Sequence, residues 1–261
     1  MQLSDIDVSA FPKEREEKLR NIMRYSMFEV MFYRSSLWQH THRVHWIIDE
    51  LLPFTNGMNV DAEKTRVLAL VHDDAEMVTG DWQAGHKAKM SAEELKNLED
   101  DEEAAAMELA ARFPAKVHGY EYAALLRHAI HKDCIEAQLV SYADRFDAYC
   151  ETFHEILAGN LGLLWSLMLY ERWLASYAIK FPLLAPLLAV QSPFILGGDN
   201  RFQPPHVDTE TYRFMGKAHV KESLAHPTDY AFYNAWRELV RRKAGAEGER
   251  WLLEKKESLP F

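Results

Sequence analysis

The sequence predicts an all-α protein, and three observations lead to that prediction. Apolar residues recur at helical spacing along most of the 261-residue chain. No segment shows the alternation of apolar and polar residues that is typical of a half-buried strand. Residues that favour helix starts, such as Asp61 and Ser91, precede several of the periodic segments, and proline or glycine follows them. No internal repeat is present.

Three helices are predicted in the first eighty residues. The first is amphipathic and covers Glu14–Phe32. The second runs from about His40 to Leu52, because apolar residues follow His40 at helical spacing and Pro53 stops the pattern. The third begins after Asp61, a favourable N-cap, and ends at Gly80.

The later elements are also predicted to be helical. Ser91 and Glu94 form a capping box that opens a long charged helix, which runs through Arg112 and closes at Pro114. Three more helices are predicted at Tyr120–His131, Asp133–Leu157 and Leu163–Lys180.

Composition changes after about Gly162, where the chain becomes rich in aromatic residues. We therefore predict a core over residues 1–164 and a helical C-terminal extension over residues 165–261, whose role the sequence does not define. The extension could be a small accessory domain or a helical layer on the core, and the pattern does not decide between them.

Charge and cysteine content exclude several classes of protein. A net charge of −10 and a pI near 5.6 argue against general affinity for nucleic acid polymers or anionic membranes. The most apolar segment, Leu161–Tyr170, is too short to span a bilayer. If Cys134 and Cys150 share a helix, they lie about 24 Å apart, which excludes a disulfide. A cytoplasmic location is expected.

The segment Val67–Glu76, V-L-A-L-V-H-D-D-A-E, contains the strongest chemical signal. Adjacent ionisable residues at the end of an apolar helix need compensation for their desolvation, and a divalent metal commonly provides it. On one helix His72 and Glu76 share a face, whereas Asp73 lies about 100° round. The other interpretation is a helix end with a His-Asp-Asp cluster at the surface, and this segment alone does not separate the two.

Further ligands would have to come from other helices. His40 lies on the apolar face of its helix, and Asp144 shares an inward face with Ala137 and Val140. Each has a simpler explanation, a core histidine bound to a backbone carbonyl or an aspartate paired with an arginine. Together with the His-Asp pair they favour a site with two histidines and two aspartates. Mixed nitrogen and oxygen ligands suit one divalent Mn, Co, Fe, Ni or Zn ion.

This H…HD…D set on successive helices resembles the HD-domain metal-dependent phosphohydrolases. The segment D-A-E-K-T-R-V-L-A-L-V-H-D-D-A-E-M-V-T-G-D is similar to the signature of the YfbR-like 5′-deoxynucleotidases. A-D-R-F-D-A-Y followed by E-I-L-A-G-N is similar to their closing helix. The resemblance covers about Arg24 to Leu164. It implies an HD-domain helical bundle, hydrolysis of deoxyribonucleoside 5′-monophosphates, and a homodimer.

The resemblance also implies roles for individual residues. The metal ligands would be His40, His72, Asp73 and Asp144. Glu76 matches the glutamate that assists proton transfer, and Asp81 matches the aspartate that recognises the sugar 3′-hydroxyl. Arg24, with a one-residue insertion, and Lys89 match groups on the phosphate side. Trp82 follows Asp81 closely enough to stack on a base.

The chain departs from the family pattern at three places. Gln39 precedes the first histidine where an acid is common, the loop W-Q-A-G-H-K after Asp81 lacks a proline, and His128 replaces an acidic residue. Two alternatives therefore stay open. One is an HD-type hydrolase of another nucleotide, such as a nucleoside triphosphate or an alarmone. The other is a helical scaffold that has lost catalysis.

Overall fold

The computed structural model describes residues 11, 13–26, 28, 31, 34–157, 160–188, 236–245 and 248. Its helices are α1 Lys13–Asn21, α2 Leu37–Leu51, α3 Ala62–Val71, α4 Glu76–Thr79, α5 Ala84–Lys87, α6 Ala92–Arg112, α7 Tyr122–His131, α8 Ile135–Leu157, α9 Leu164–Lys180 and α10 Ala185–Leu188. Residues 236–245 are also helical. The all-α prediction is confirmed.

The only sheet in the described ranges is one short antiparallel hairpin. Its strands are β1, Lys116–Val117, and β2, Tyr120–Glu121. His118 and Gly119 form the turn with positive φ angles of 51° and 87°. The sequence predicted a helix from Tyr120 and no strand. Strands of two residues are too short to show an alternating pattern.

The helices α2, α3 and α8 pack against one another and form the centre of the bundle. α2 begins with a capping box in which the Ser36 side chain accepts from the Gln39 backbone and the Gln39 side chain accepts from the Ser36 backbone. Most of α2 is buried, including Val44, Ile47 and Ile48, which are fully inaccessible. Burial of each such side chain contributes about 1.5–3 kcal/mol, so α2 is firmly fixed.

The first predicted helix is too long. α1 ends at Asn21, and the chain then turns so that Arg24 N donates to Ser35 O at 2.9 Å and Leu37 N donates to Ile22 O at 2.9 Å. Tyr25 has φ of 56°, which a right-handed helix cannot accommodate. These backbone bonds to the segment before α2 replace the helical ones.

The predicted helix from Asp61 to Gly80 is interrupted. Asp61 caps α3 as predicted, but α3 ends at Val71, residues 72–75 form a turn, and α4 follows. Asp74 explains the break, since its carboxylate accepts two bonds of 2.8 Å from Arg15 and one of 2.7 Å from Tyr122 Oη. The turn thus directs Asp74 away from its neighbour Asp73.

The hydrophobic core continues from the central helices into the C-terminal segment. α9 packs along α8. Trp236 is fully buried, and its Nε1 donates to Asp147 Oδ1 on α8 at 3.1 Å. The division of the chain at residue 164 stays a prediction. Among the described helices, none combines the length and the apolar character needed to cross a bilayer.

Candidate metal centre and active-site cavity

Two histidines meet at the junction of α2 and the α3–α4 turn. His40 Nδ1 lies 2.7 Å from Asp147 Oδ2, and His72 Nδ1 lies 2.7 Å from the carbonyl oxygen of Ala69. Both partners are acceptors, so each Nδ1 carries a proton, and each Nε2 is the ring nitrogen left to bind a cation. Both Nε2 atoms are buried and have no hydrogen-bond partner among the described residues. This is the arrangement found in metal-ligating histidines.

Asp73 lies beside both of these nitrogens, and Asp144 lies beside that of His40. Asp73 places Oδ2 at 3.3 Å from His40 Nε2 and Oδ1 at 3.3 Å from His72 Nε2. Asp144, from α8, places Oδ1 at 3.3 Å from His40 Nε2. Two ligand atoms that each lie about 2.1 Å from one cation are about 3.0–3.4 Å apart at octahedral or tetrahedral angles. The donor set and its spacing therefore fit a divalent transition metal.

One ligand atom from each of His40, His72 and Asp73 lies within 4.8 Å of the other two. Burial and Arg24 act to lower the pKa of His40, but the neighbouring carboxylates of Asp144, Asp147 and Asp73 outweigh them and raise it to about 10. The four groups thus stabilise positive charge at this point. The side chains of Asp73 and Asp144 are 16% and 17% exposed, so this charge is accessible from the cavity.

Asp147 was not identified from the sequence, although it has the clearest supporting role. Its carboxylate accepts from His40 Nδ1, from Trp236 Nε1, and from Arg43 Nε and Nη2 at 2.6 and 2.8 Å. Burial favours its neutral form, but Arg43 and His40 hold its pKa well below the ordinary value. Asp147 therefore stays ionised and fixes the tautomer of His40. Asp147 follows Asp144 by three residues on α8, and residues at that spacing are neighbours on a helix surface. This spacing was the signal in the sequence that could have identified it.

A cavity opens beside the metal centre. Its lining includes Arg24, His72, Asp73, Glu76, Asp81, Trp82 and Asp144. Apart from His40, which lies beneath the cavity floor and is fully buried, and Lys89, every site residue predicted from the sequence is in that lining. Arg24 Nε lies 3.5 Å from Glu151 Oε2, which keeps the guanidinium at the cavity wall.

Glu76 and Asp81 have perturbed acidities. Burial, reinforced by the charges of Asp73 and Asp81, raises the pKa of Glu76 well above its ordinary value. Glu76 Oε2 is buried and has no hydrogen-bond partner in the described part of the chain. Burial also raises the pKa of Asp81, against the effect of Arg24. Perturbed carboxyl groups in one cleft are typical of an active site.

Trp82 and Lys89 occupy different positions relative to the cavity. Trp82 is 38% exposed at the rim, and its Nε1 donates to Thr79 O at 3.2 Å. Lys89 is not among the residues that line the cavity. Its Nζ lies 5.7 Å from the ring centre of Trp165 instead. Lys87, two residues earlier, lines the cavity and pairs with Glu102 at 2.8 Å.

Three further lining residues were missed by sequence reasoning: Lys132, Arg145 and Tyr170. Lys132 and Arg145 carry no motif. Tyr170 lies on α9, in the predicted extension, and one aromatic residue in an aromatic-rich helix gives no signal of a site.

A helical bundle that brings together His40 of α2, the His72–Asp73 pair after α3, and Asp144 of α8 has the arrangement of the HD-domain class. The sequence profile of the YfbR-like 5′-deoxynucleotidases matches residues 16–164. The chain belongs to this family.

Individual proteins are similar to parts of the chain. A protein from Vibrio parahaemolyticus named 5′-deoxynucleotidase is 29% identical over 125 residues, which is 47% of this chain and 63% of that protein. The match thus covers less than two thirds of the length of the Vibrio parahaemolyticus protein. A conserved hypothetical protein from Pyrococcus furiosus is 22% identical, with a TM-score of 0.48 over 65% of this chain and 93% of that one.

Proposed function

We propose that the protein is a divalent-metal-dependent phosphohydrolase that converts deoxyribonucleoside 5′-monophosphates to deoxynucleosides and phosphate. The observation that carries the proposal is the pair of buried, unpartnered Nε2 atoms of His40 and His72 beside the Asp73 carboxylate. Family membership supports the choice of reaction, and the named relative from Vibrio parahaemolyticus supports the choice of substrate.

The proposed metal ligands are His40, His72, Asp73 and Asp144. A divalent transition metal held there would polarise the phosphoryl group and lower the pKa of water from about 15.7 towards 7. Asp147 keeps the His40 lone pair directed at the centre by accepting the Nδ1 proton. The carbonyl of Ala69 has the same role for His72.

Glu76 is the proposed proton carrier. A carboxyl group whose pKa is raised by burial keeps its proton near neutral pH and can donate it to a leaving oxygen. Glu76 would give that proton to the 5′-oxygen as the bond from phosphorus to that oxygen breaks. Water would form the new bond to phosphorus, and the proton that it releases would return to the Glu76 carboxylate. The buried Oε2, which makes no other hydrogen bond within the described residues, suits this transfer.

Substrate contacts are proposed for four residues. Arg24 would form a forked contact with phosphoryl oxygens, and Asp81 would accept a hydrogen bond from the sugar 3′-hydroxyl. Trp82, at the rim, would stack on the base. The role of Lys89 on the phosphate side is proposed from the family resemblance alone, because in the structure its Nζ lies beside Trp165.

Glu76→Gln tests the proton role. The amide preserves size but cannot transfer a proton, so we expect kcat to fall by about 10²–10⁴-fold with the bound metal retained. Steady-state phosphate release and elemental analysis of the same sample measure the two effects. Full activity in the variant would remove the assignment.

Asp81→Ala tests recognition of the sugar. The variant loses the acceptor for the 3′-hydroxyl, and we expect the ratio of kcat/KM for deoxy over ribo substrates to fall by about tenfold. Matched deoxyadenosine and adenosine monophosphates provide the measurement. An unchanged ratio would contradict the assignment, even if both rates fell together.

A phosphate-release screen with Mn²⁺, Co²⁺, Ni²⁺ or Zn²⁺ tests the reaction itself. Release from deoxyribonucleoside monophosphates, above that from ribonucleotides, is the expected result. Preferential release from nucleoside triphosphates or an alarmone would favour the other hydrolase, and no release under any condition would favour a scaffold. A homodimer and a cytoplasmic location are further proposals from the resemblance, and light scattering tests the dimer.

A further inference from the structure

Lys132 is a cation of the cavity wall that forms no salt bridge with a carboxylate within the described residues. It follows the last residue of α7 in a left-handed conformation, with φ of 54°. Its Nζ donates to the carbonyl oxygens of Ala129 and Ile130 at 3.2 and 3.1 Å. An ammonium group has three donors, so one donor remains beside the cavity that this residue lines.

Helix capping is the simpler explanation of this lysine, and it accounts for part of the geometry. Lysine near a helix C-terminus commonly binds the last carbonyl oxygens. Capping does not require a half-buried position beside other cations, however. Burial lowers the pKa of Lys132 to about 8. The charges of Arg145 and Lys87 add to that effect, against smaller opposing effects of Glu102 and Asp144.

Arg145 is the second cation of this wall. It follows Asp144 on α8, its side chain is 26% exposed, and its Nη1 lies 3.3 Å from Asp144 Oδ2. The other oxygen of Asp144 faces His40. Arg145 therefore connects the metal centre to the outer part of the cavity.

Helix α9 holds Arg145 in place. The guanidinium carbon lies 5.1 Å from the ring centre of Trp173. Tyr177, one turn further on, donates to Ser141 O at 2.9 Å and thereby fixes α9 to α8. Tyr170 of the same helix lines the cavity. These contacts come from beyond the family match at residues 16–164.

Both cations line the cavity, and the two carboxylates that act on Lys132, Glu102 and Asp144, already have other partners. Lys87 is paired with Glu102, and the Asp144 carboxylate is shared between Arg145 and His40. The acceptors of Lys132 within the described ranges are the backbone carbonyl oxygens of Ala129 and Ile130. Like charges in a half-buried wall repel one another, and an anionic ligand would relieve that repulsion.

We infer that Lys132 and Arg145 form an anion subsite for a second phosphate group, separate from the phosphate position proposed beside Arg24. The inference rests on the proposed function, because it treats the cavity as a nucleotide site. The second phosphate would be the β-phosphate of a diphosphate, or free phosphate bound beside a monophosphate. Nucleotides that carry a second phosphate should therefore bind more tightly than monophosphates.

Calorimetric titration of the metal-loaded Glu76→Gln protein tests the subsite without depending on turnover. The ligands are deoxyadenosine 5′-monophosphate, the 5′-diphosphate, and inorganic phosphate added to the monophosphate complex. If the second phosphate is a β-phosphate, we expect the diphosphate to bind about tenfold more tightly than the monophosphate. If it is free phosphate, we expect inorganic phosphate to bind to the monophosphate complex. Comparison of the ligands identifies the source.

Lys132→Met in the same background should remove that advantage. Lys132→Arg should preserve most of it, and Lys116→Met is the matched control, because Lys116 lies on the exposed hairpin. No dependence of second-phosphate binding on Lys132, or an equal loss for every ligand, would overturn the subsite. Arg145→Met provides a second test if Lys132→Met fails to fold.

Failure of this proposal can be distinguished from failure of the proposed function. Monophosphate turnover without any preference for a second phosphate leaves the nucleotidase and removes the subsite. Lys132-dependent binding of a second phosphate without turnover by the unsubstituted protein leaves the subsite and removes the nucleotidase.

Discussion

Asp73→Ala is expected to remove both the bound metal and turnover. Asp73 is the residue that contacts both histidines, with one carboxylate oxygen 3.3 Å from each Nε2. The alanine variant leaves two neutral imidazoles and one carboxylate, which is a weaker set for a divalent cation. We expect metal content near zero and a loss of kcat/KM of at least about 10³-fold, measured by elemental analysis and phosphate release.

The adjacent residue, Asp74, provides the matched control. Asp74→Ala removes no proposed ligand, but it leaves Arg15 buried without its carboxylate partner. Loss of one partner of such a buried pair costs about 3–5 kcal/mol. Asp74→Ala should therefore lower the free energy of unfolding, while folded protein still binds metal. Full metal binding by Asp73→Ala, or loss of metal without loss of stability in Asp74→Ala, would contradict these roles.

Asp147→Asn is expected to weaken metal binding although Asp147 is not a proposed ligand. The change replaces the carboxylate that accepts the His40 Nδ1 proton and pairs with Arg43. Loss of such a supporting carboxylate typically reduces metal affinity by about 10–100-fold. The buried Arg43 also loses its ion pair with the Asp147 carboxylate while it keeps its contacts with Glu151 and Ser35, so the melting temperature should fall.

Trp236→Phe separates the effect on stability from the effect on metal affinity. It removes the indole donor to Asp147 but keeps the carboxylate, His40 and Arg43 in contact. We expect a loss of about 1 kcal/mol in stability with metal affinity within threefold of the original. Competitive titration with a metal-binding dye measures both variants. Equal metal affinity in Asp147→Asn and the unsubstituted protein would contradict the supporting role.

Local signals in the sequence were sufficient to predict most of the described helices. Asp61 and the Ser91–Glu94 box cap their helices as predicted. α1 and the α3–α4 break were predicted wrongly because long-range bonds override helical periodicity. Asp74 is held by Arg15, 59 residues earlier in the chain. No local pattern contains such a contact.

The sequence indicated which residue types the candidate site contains but not how they are arranged. His40, His72, Asp73 and Asp144 stand out because each interrupts an apolar helical face. The two aspartates after His72 look equivalent, and only the fold sends one towards the histidines and the other towards Arg15. Lys132 and Tyr170 reach the cavity through the packing of α7 and α9, which no motif records.

Diffraction from a crystal of the Co²⁺-loaded protein, recorded at the cobalt absorption edge, tests the central claim most directly. A single anomalous peak about 2.0–2.2 Å from His40 Nε2, His72 Nε2 and carboxylate oxygens of Asp73 and Asp144 is the result we expect. A peak bound by other residues, or no peak in fully loaded crystals, would contradict the proposed metal centre and the reaction that depends on it.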